Sequence, residues 1–222
     1  RRAIRSRMAA VIARAGHAGT PGLCYDDVSV PPPRRPSPAS VSARPFTQIL
    51  ETALWERAPL ATGSEVTAYR VLDGTGDGLP GVSIDRYGPA ALLNVYADAR
   101  LSQPAITRMA ADALDVLAPG GVEAVYVKPF ARDRSRLGGD FPDEATSPTP
   151  RAGLVLPEAL VVEEYGVRFE VRPHDGLSAG LFLEHREHRR ALADGRPARA
   201  LNLFAYTCAF AMPLARAGAV VT

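Results

Sequence analysis

The chain has 222 residues, of which 46% are hydrophobic and 23% are charged, and its net charge is +2. These are ordinary values for a globular protein and leave room for one large domain or two small ones. Its two isolated cysteines, Cys24 and Cys208, argue against a disulfide scaffold or a zinc site, and no apolar run approaches the ~18 residues of a membrane span. We therefore expect a cytoplasmic protein with no membrane segment.

The charge is unevenly distributed along the chain. Residues 1–45 carry eight arginines against two aspartates, whereas the rest of the chain is mildly acidic. A proline-rich run at 31–38 gives this arm the composition of a linker. We expect 1–45 to be a basic arm that either contacts a polyanion or is a solvated, flexible tail.

Hydrophobic periodicity then predicts a small α+β domain at 46–173. The expected elements, in chain order, are a helix at 45–57, strands at 67–72, 82–84 and 91–96, a helix at 103–117, a strand at 122–127 and a hairpin at 161–171. Ser102 is placed to cap the second helix, and residues 74–81 form a dense cluster of turn formers. The polar stretch 132–150 is predicted to be an exposed loop.

The pattern changes after residue 173. We expect a helix at 181–193, a buried strand at 198–207 that ends in a tight loop, a short helix at 209–217 and a further strand from 219. Strand, helix and strand in this order form a βαβ unit. Because the chain does not begin with Met and stops inside an apolar run, we expect it to be a fragment.

Three segments carry a family resemblance. They read GDGLPGVSIDRYG at 76–88, GLFLEHREHR at 180–189 and LNLFAYTCAF at 201–210. In this order they resemble the GDGLPG…DRYG, GFFLDQRxxR and LNLFSYTGGF signatures of the large-subunit ribosomal RNA cytosine methyltransferases. The resemblance spans about residues 64–222. It implies a class I enzyme that moves a methyl group from S-adenosyl-L-methionine to cytosine C5 in ribosomal RNA.

The resemblance also implies an α/β fold class. The small α+β domain would be followed, at 174–222, by the truncated start of a Rossmann-like, doubly wound methyltransferase domain. Ligands of open α/β sheets bind at the carboxyl end of the first strand. The cofactor-binding residues carried over from the motifs are Phe182, Arg186, Asn202, Phe204, Ala205, Tyr206, Thr207, Cys208 and Ala209.

Cys208 departs from the family pattern, which often has glycine there. If this residue is left-handed, its side chain costs ~1–2 kcal/mol and weakens the cofactor site. Methylation of cytosine C5 needs a thiolate that adds to the base. Because Cys208 lies in the cofactor loop, we do not give it that role; we expect the catalytic residues beyond residue 222 and the chain alone to be inactive.

The second motif allows two interpretations. Arg186 is placed to grip the cofactor's carboxylate as a bidentate fork, with Phe182 against its apolar parts; alternatively, both lie on a solvated, charged helix face. His185 and His188 lie beside Glu184 at a spacing that could bind a metal. Because the HExxH pattern is absent, we expect no metal.

Two rival functions are open at this point. The first is a non-catalytic, RNA-binding or regulatory remnant that uses the basic arm and the α+β domain. Residues 1–45 do not resemble the N-terminal RNA-binding module of the family, which counts against RNA as the partner. The second is a nucleotide-cofactor oxidoreductase, against which the absence of GxGxxG after the predicted strand argues. The cluster at 74–81 is expected to be a structural hairpin turn rather than an RNA contact.

Overall fold

The computed structural model describes residues 45–61, 65–130 and 143–222. The predicted basic arm up to residue 44 and the first part of the predicted loop at 132–150 lie outside these described residues. The helices are α1 (Phe46–Ala61), α2 (Gln103–Leu117), α3 (Asp143–Thr146), α4 (Arg186–Asp194) and α5 (Ala211–Arg216). The strands are β1 (Ala68–Asp73), β2 (Val82–Tyr87), β3 (Ala90–Tyr96), β4 (Ala124–Phe130), β5 (Ala152–Gly153), β6 (Leu160–Glu164), β7 (Val167–Val171), β8 (Arg199–Ala200) and β9 (Val220–Val221).

A five-stranded sheet in the order β1-β2-β3-β4-β5 is the frame of the fold. β1, β2 and β3 pair as antiparallel neighbours, β4 runs parallel to β3 after the α2 crossover, and β5 adds two antiparallel residues. β3 is apolar on both faces: Ala91 and Leu93 enter one core, and Ala90 and Leu92 enter the other. A strand that is buried on both faces lets the sheet carry a hydrophobic core on each side.

Helices α1 and α2 cover the first face of the sheet. α2 begins at the predicted cap, where the Ser102 hydroxyl accepts a hydrogen bond from Ala105 N at 3.4 Å. The buried residues of α2 are Ile106, Ala110, Ala113 and Leu117. Their spacing is that of one helical face, which confirms the prediction for this helix.

Residues 74–81 form the turn between β1 and β2, which confirms the predicted hairpin. The Asp77 carboxylate accepts a hydrogen bond from Asp73 N at 2.5 Å and so closes the turn. Gly81 has φ of +80°, and a Cβ at this position would lie 2.8 Å from the Cβ of Ala99. Only glycine therefore fits here without displacing the neighbouring backbone.

β6 and β7 form the predicted hairpin and cover part of the second face. Tyr165 and Gly166 connect them with φ of +50° and +75°, and two positive φ angles are the mark of the tight turn that suits strand twist. The Tyr165 N–H donates to Glu65 O at 2.7 Å, which joins the hairpin to the residues before β1. Leu181 is buried in the same core as the hairpin, so the segment after β7 begins on this face.

The predicted buried strand at 198–207 is wrong in length and in burial. β8 has two residues and pairs in parallel with β9, and Leu201 and Leu203 are each 68% exposed. Within the described residues β9 is the only strand beside β8. An apolar run becomes a buried strand only where neighbours cover it.

The other predictions for this end of the chain are confirmed. The short helix is α5 and the strand after it is β9. The helix predicted at 181–193 begins with a 3₁₀ turn at Leu183–His185 and continues as α4. No helix in the described part of the chain is long and apolar enough to cross a membrane.

Candidate functional site

The loop at 202–209 leaves the carboxyl end of β8 and leads into α5. Three of its residues, Phe204, Tyr206 and Cys208, have positive φ of +53°, +49° and +63°. Cys208 is therefore left-handed, which for a residue with a side chain costs about 1–2 kcal/mol. Its carbonyl accepts hydrogen bonds from Ala211 N and Met212 N at 2.9 and 3.2 Å, so Cys208 is tied to the first residues of α5.

This loop lies against the segment that precedes α4. The Thr207 hydroxyl donates to Gly180 O at 2.6 Å. The Tyr206 and Phe182 rings lie 5.6 Å apart at an interplanar angle of 40°, with Tyr206 56% and Phe182 47% exposed. Two separate sequence motifs thus present a pair of open aromatic faces.

Asn202 carries an unsatisfied polar group at the start of the loop. Its backbone N–H donates to Thr222 O at 2.8 Å, whereas its buried side-chain Nδ2 has no hydrogen-bond partner among the described residues. A buried donor without a partner costs about 1–3 kcal/mol. The side-chain amide is therefore an unsatisfied donor at the base of the loop.

The remaining predicted loop residues differ in their surroundings. Phe204 is fully exposed. Ala205 is half-buried, and its carbonyl accepts a hydrogen bond from Cys208 N at 2.7 Å. Ala209 packs against the second core. Among these three, Ala205 and Phe204 have surface that a ligand can reach, and Ala209 supports the loop from below.

Arg186 is directed away from the open rings. Its Nε lies 3.0 Å from Glu187 Oε1, its guanidinium lies 6.0 Å from the centroid of the Tyr165 ring, and its side chain is buried. It thus faces the turn of the β6–β7 hairpin. Arg186 also does not lie on the solvated face of the helix, which was the alternative interpretation. That face carries the exposed Glu187 and Arg190.

A buried ion pair that the sequence analysis missed holds this segment in place. Arg189 Nη2 lies 2.7 Å from Glu164 Oε1, each side chain is 3% exposed, and Arg189 Nη1 donates to Phe182 O at 2.9 Å. Burial raises the pKa of Glu164, more than its hydrogen bond with Arg189 lowers it. Arg189 closes the second motif, but its partner is 25 residues upstream, where no local pattern indicates the pairing.

Lys128, the only lysine of the chain, is also buried. Its Nζ donates to Ala145 O and, at 2.6 Å, to Gly176 O. Burial lowers the pKa of Lys128 to about 8. Lys128 therefore ties β4 to the turn that leads into the second motif, and its position in an apolar strand is the sequence signal that could have identified it.

The histidines beside α4 make aromatic contacts. The rings of His185 and His188 lie 5.9 Å apart, and His185 lies 5.5 Å from the ring of Phe210 at the start of α5. In the ranges that the structure covers, no group of three His, Cys, Asp or Glu side chains is arranged to hold a metal ion.

Comparison with known proteins extends this description. No protein-family model matches the chain. A ribosomal RNA large subunit methyltransferase from Deinococcus radiodurans is 32% identical over 177 residues, which cover 77% of this chain and 41% of that protein. Ribosomal RNA large subunit methyltransferase I from Cronobacter sakazakii is 32% identical over 171 residues, which cover 75% of this chain and 40% of that protein. The chain thus spans about 40% of the length of these curated relatives.

Solved structures give the same result. SMU.776, described as a methyltransferase and crystallised with SAH, is 28% identical with a TM-score of 0.62 over 78% of this chain and 42% of its own. A protein from Streptococcus mutans, described as a SAM-dependent methyltransferase, is 28% identical with a TM-score of 0.63 over 83% of this chain and 45% of its own. The predicted α/β fold class is confirmed. The chain is therefore homologous to the ribosomal RNA large subunit methyltransferases, which it matches over part of their length.

Proposed function

We propose that this protein is an S-adenosyl-L-methionine-dependent methyltransferase that modifies a base of ribosomal RNA, with cytosine as that base. The observation that carries the proposal is the loop at 202–209, which follows a parallel strand and joins an unpaired amide to two open aromatic rings. The carboxyl end of such a strand is where open α/β sheets bind ligands. A substrate in ribosomal RNA also agrees with the cytoplasmic location expected from the sequence.

The residues of the loop fit S-adenosyl-L-methionine in two ways. The buried Asn202 Nδ2 is a hydrogen-bond donor without a partner among the described residues, so it would bond to a polar group of the cofactor. The exposed faces of Phe182 and Tyr206 would pack against its adenine ring or its apolar chain. When bound, the cofactor supplies a methyl group activated on a sulfonium.

The rest of the predicted cofactor set has supporting roles in this proposal. Thr207 anchors the loop to Gly180, and Cys208, which has a left-handed backbone, binds the first residues of α5 through its carbonyl. Arg186 would have to exchange Glu187 for the carboxylate of the cofactor, so we leave it out of the proposed site. We also propose that the methyltransferase domain begins near residue 174, after the α+β domain at 46–173.

Binding of S-adenosylhomocysteine to this chain, measured by calorimetry, tests the cofactor. Stacking a base on an aromatic ring contributes about 1–3 kcal/mol, so Tyr206→Ala should weaken binding about tenfold. Leu154→Ala, which removes an exposed apolar side chain after β5, should leave binding unchanged. Binding of NADH instead would support the oxidoreductase, and binding of RNA without S-adenosylhomocysteine would support the non-catalytic remnant.

Transfer of a radiolabelled methyl group tests the substrate. The assay uses unmodified large-subunit RNA and the product of the complete reading frame, because we expect the catalytic nucleophile outside this chain. Nuclease digestion should release the label as 5-methylcytosine. Label on another base would correct the base, and cofactor binding without any label on RNA would refute the substrate.

A further inference from the structure

A cleft of about 480 Å³ lies between the turn of the β6–β7 hairpin, α4 and the C-terminal end of α5. Its walls contribute five arginines and two carboxylates, a net charge of +3. The arginines are Arg186, Arg189, Arg190, Arg196 and Arg216, and the carboxylates are those of Glu164 and Asp194. We name it the arginine cleft; no residue of the 202–209 loop lines it.

The arginines of the cleft divide into two groups. Arg186 and Arg189 are buried and are engaged by Glu187 and Glu164. The other three, Arg190, Arg196 and Arg216, are exposed at the rim. Asp194 pairs with Arg190, and Glu187, which does not line the cleft, pairs with Arg186. The positive charge without a carboxylate partner among the described residues is thus that of Arg196 and Arg216, which solvent and a ligand can reach.

The three exposed arginines reach the cleft from different parts of the chain. Arg190 stacks on the Tyr165 ring at 4.4 Å, and its Nε is 3.7 Å from Asp194 Oδ2. Arg216 lies against the hairpin turn, since a Cβ on Gly166 would be 3.0 Å from its Nη1. Within the described part of the chain, Arg216 has no ion-pair partner.

Arg196 has no carboxylate partner among the described residues either. It lies two residues after the end of α4, in a left-handed conformation with φ of +43°. The alternative role for an arginine near the C-terminal end of α4 or α5 is to compensate the helix dipole. That effect acts on stability, so it can be separated from ligand binding by experiment.

We propose that the arginine cleft binds a phosphate group of the RNA backbone, at a place separate from the cofactor loop. The inference rests on the proposed function for its choice of RNA as the polyanion. Guanidinium groups bind phosphate oxygens as bidentate forks, and three such groups around an open cleft suit an exposed phosphodiester. A contact to phosphate orients the RNA and does not read its sequence.

The position of the cleft relative to the loop supports this arrangement. The loop enters α5 at its N-terminal end, and Arg216 lies in the last turn of the same helix. Six residues at a rise of about 1.5 Å each give a helix about 9 Å long. The cleft is therefore near the proposed cofactor loop without overlapping it.

Fluorescence anisotropy with a labelled single-stranded RNA of mixed sequence tests the proposal. The variants are Arg216→Ala and the double variant Arg196→Ala/Arg216→Ala, with Arg108→Ala as the matched control. Arg108 is an exposed arginine on α2, which covers the opposite face of the sheet. All variants keep the basic arm, so its contribution to RNA affinity is the same in each.

The double variant should bind RNA about tenfold more weakly. Its plot of log K against log salt should be shallower by about 0.7, because single strands release about 0.7 counterion for each phosphate that the protein neutralises, and the cleft binds one phosphate. The control, the urea midpoint and the affinity for S-adenosylhomocysteine should not change. If arginine at these positions only compensates helix dipoles, the urea midpoint falls instead and RNA affinity stays the same.

Other outcomes separate this proposal from the proposed function. RNA affinity that is unchanged in the double variant, with S-adenosylhomocysteine still bound, overturns the arginine cleft and leaves the proposed function standing. Displacement of RNA by an equal charge concentration of polyglutamate also overturns it, because the site would then prefer acidic peptides. If the unmodified chain does not bind S-adenosylhomocysteine, that result counts against the proposed function and not against the arginine cleft.

Discussion

Replacing Arg189 with methionine tests whether the buried ion pair with Glu164 holds the second motif against the hairpin. Both side chains are 3% exposed and their closest atoms are 2.7 Å apart. Removing one partner of such a pair costs about 3–5 kcal/mol, because it leaves an uncompensated buried charge. In Arg189→Met, Glu164 can become neutral by taking up a proton. The variant therefore loses no more free energy of unfolding than the protonation of Glu164 costs.

This bound depends on pH in a definite direction. With an ordinary pKa of 4.5 in the unfolded chain, protonating Glu164 costs about 1.4 kcal/mol for each pH unit above that value. The bound is therefore about 4 kcal/mol at pH 7.5 and about 1.4 kcal/mol at pH 5.5. Because the folded-state pKa of Glu164 is raised, the neutral carboxyl group stabilises the fold relative to the unfolded chain. This contribution is complete below pH 4.5 and is lost as the pH rises.

The reciprocal variant should lack this relief. Glu164→Leu leaves a buried guanidinium, which cannot lose its proton, so its loss of 3–5 kcal/mol should be the same at both pH values, to within about 1 kcal/mol. The double variant Glu164→Leu/Arg189→Met should recover most of the loss, because replacing both charges with apolar groups is close to neutral. Arg190→Met, at the exposed neighbouring position, is the matched control.

Urea unfolding at pH 5.5 and 7.5 measures these differences. The fluorescence of Trp55, the only tryptophan, follows α1, and circular dichroism follows the whole fold. The reasoning is refuted if either single variant lies within 1 kcal/mol of the unmodified chain at pH 7.5. It is also refuted if the losses of the two single variants add in the double variant.

Two further predictions concern Lys128 and Cys208. The pKa of Lys128 is about 8 in the fold and 10.5 in the unfolded chain, so the unfolded chain binds more protons between these pH values. The stability of the unmodified chain relative to Lys128→Met, measured by urea unfolding, should therefore rise by about 3 kcal/mol from pH 8 to 10.5. A stability difference that does not change with pH would contradict the assignment. Cys208→Gly should stabilise the chain by about 1 kcal/mol because it relieves a left-handed side chain at φ of +63°. Cys208→Ala, which keeps the Cβ, should show no gain, and equal gains in both variants would contradict the explanation.

Local patterns predicted the elements whose burial is decided by near neighbours. The spacing of apolar residues in α2 and the turn formers at 165–166 each determine a structure within a few residues, and both predictions are confirmed. The strand at 198–207 failed because its burial depends on neighbouring strands and helices, which no local pattern reports.

The sequence predicted the loop and Phe182 as parts of the candidate site, but it did not predict the interactions that hold them in place. The partner of Arg189 lies on a strand of another motif, and its identity follows only from how the hairpin folds over the sheet. The role of Arg186 at the cofactor remains a prediction, and its surroundings show that residues of one motif need not face the same way. Its side chain leaves the helix toward the hairpin, whereas Phe182 turns toward the loop.

The alternation of left-handed residues at 204, 206 and 208 has a consequence for local stability. Each of these side chains is strained by about 1–2 kcal/mol, and that strain is released when the loop opens. Opening at 202–209 is therefore favoured relative to a loop with glycine at these positions, and its amides should exchange with solvent sooner than those of the sheet. A ligand that bonds to Asn202 and covers Tyr206 would oppose that opening, so the slowing of amide exchange would report occupancy of the site.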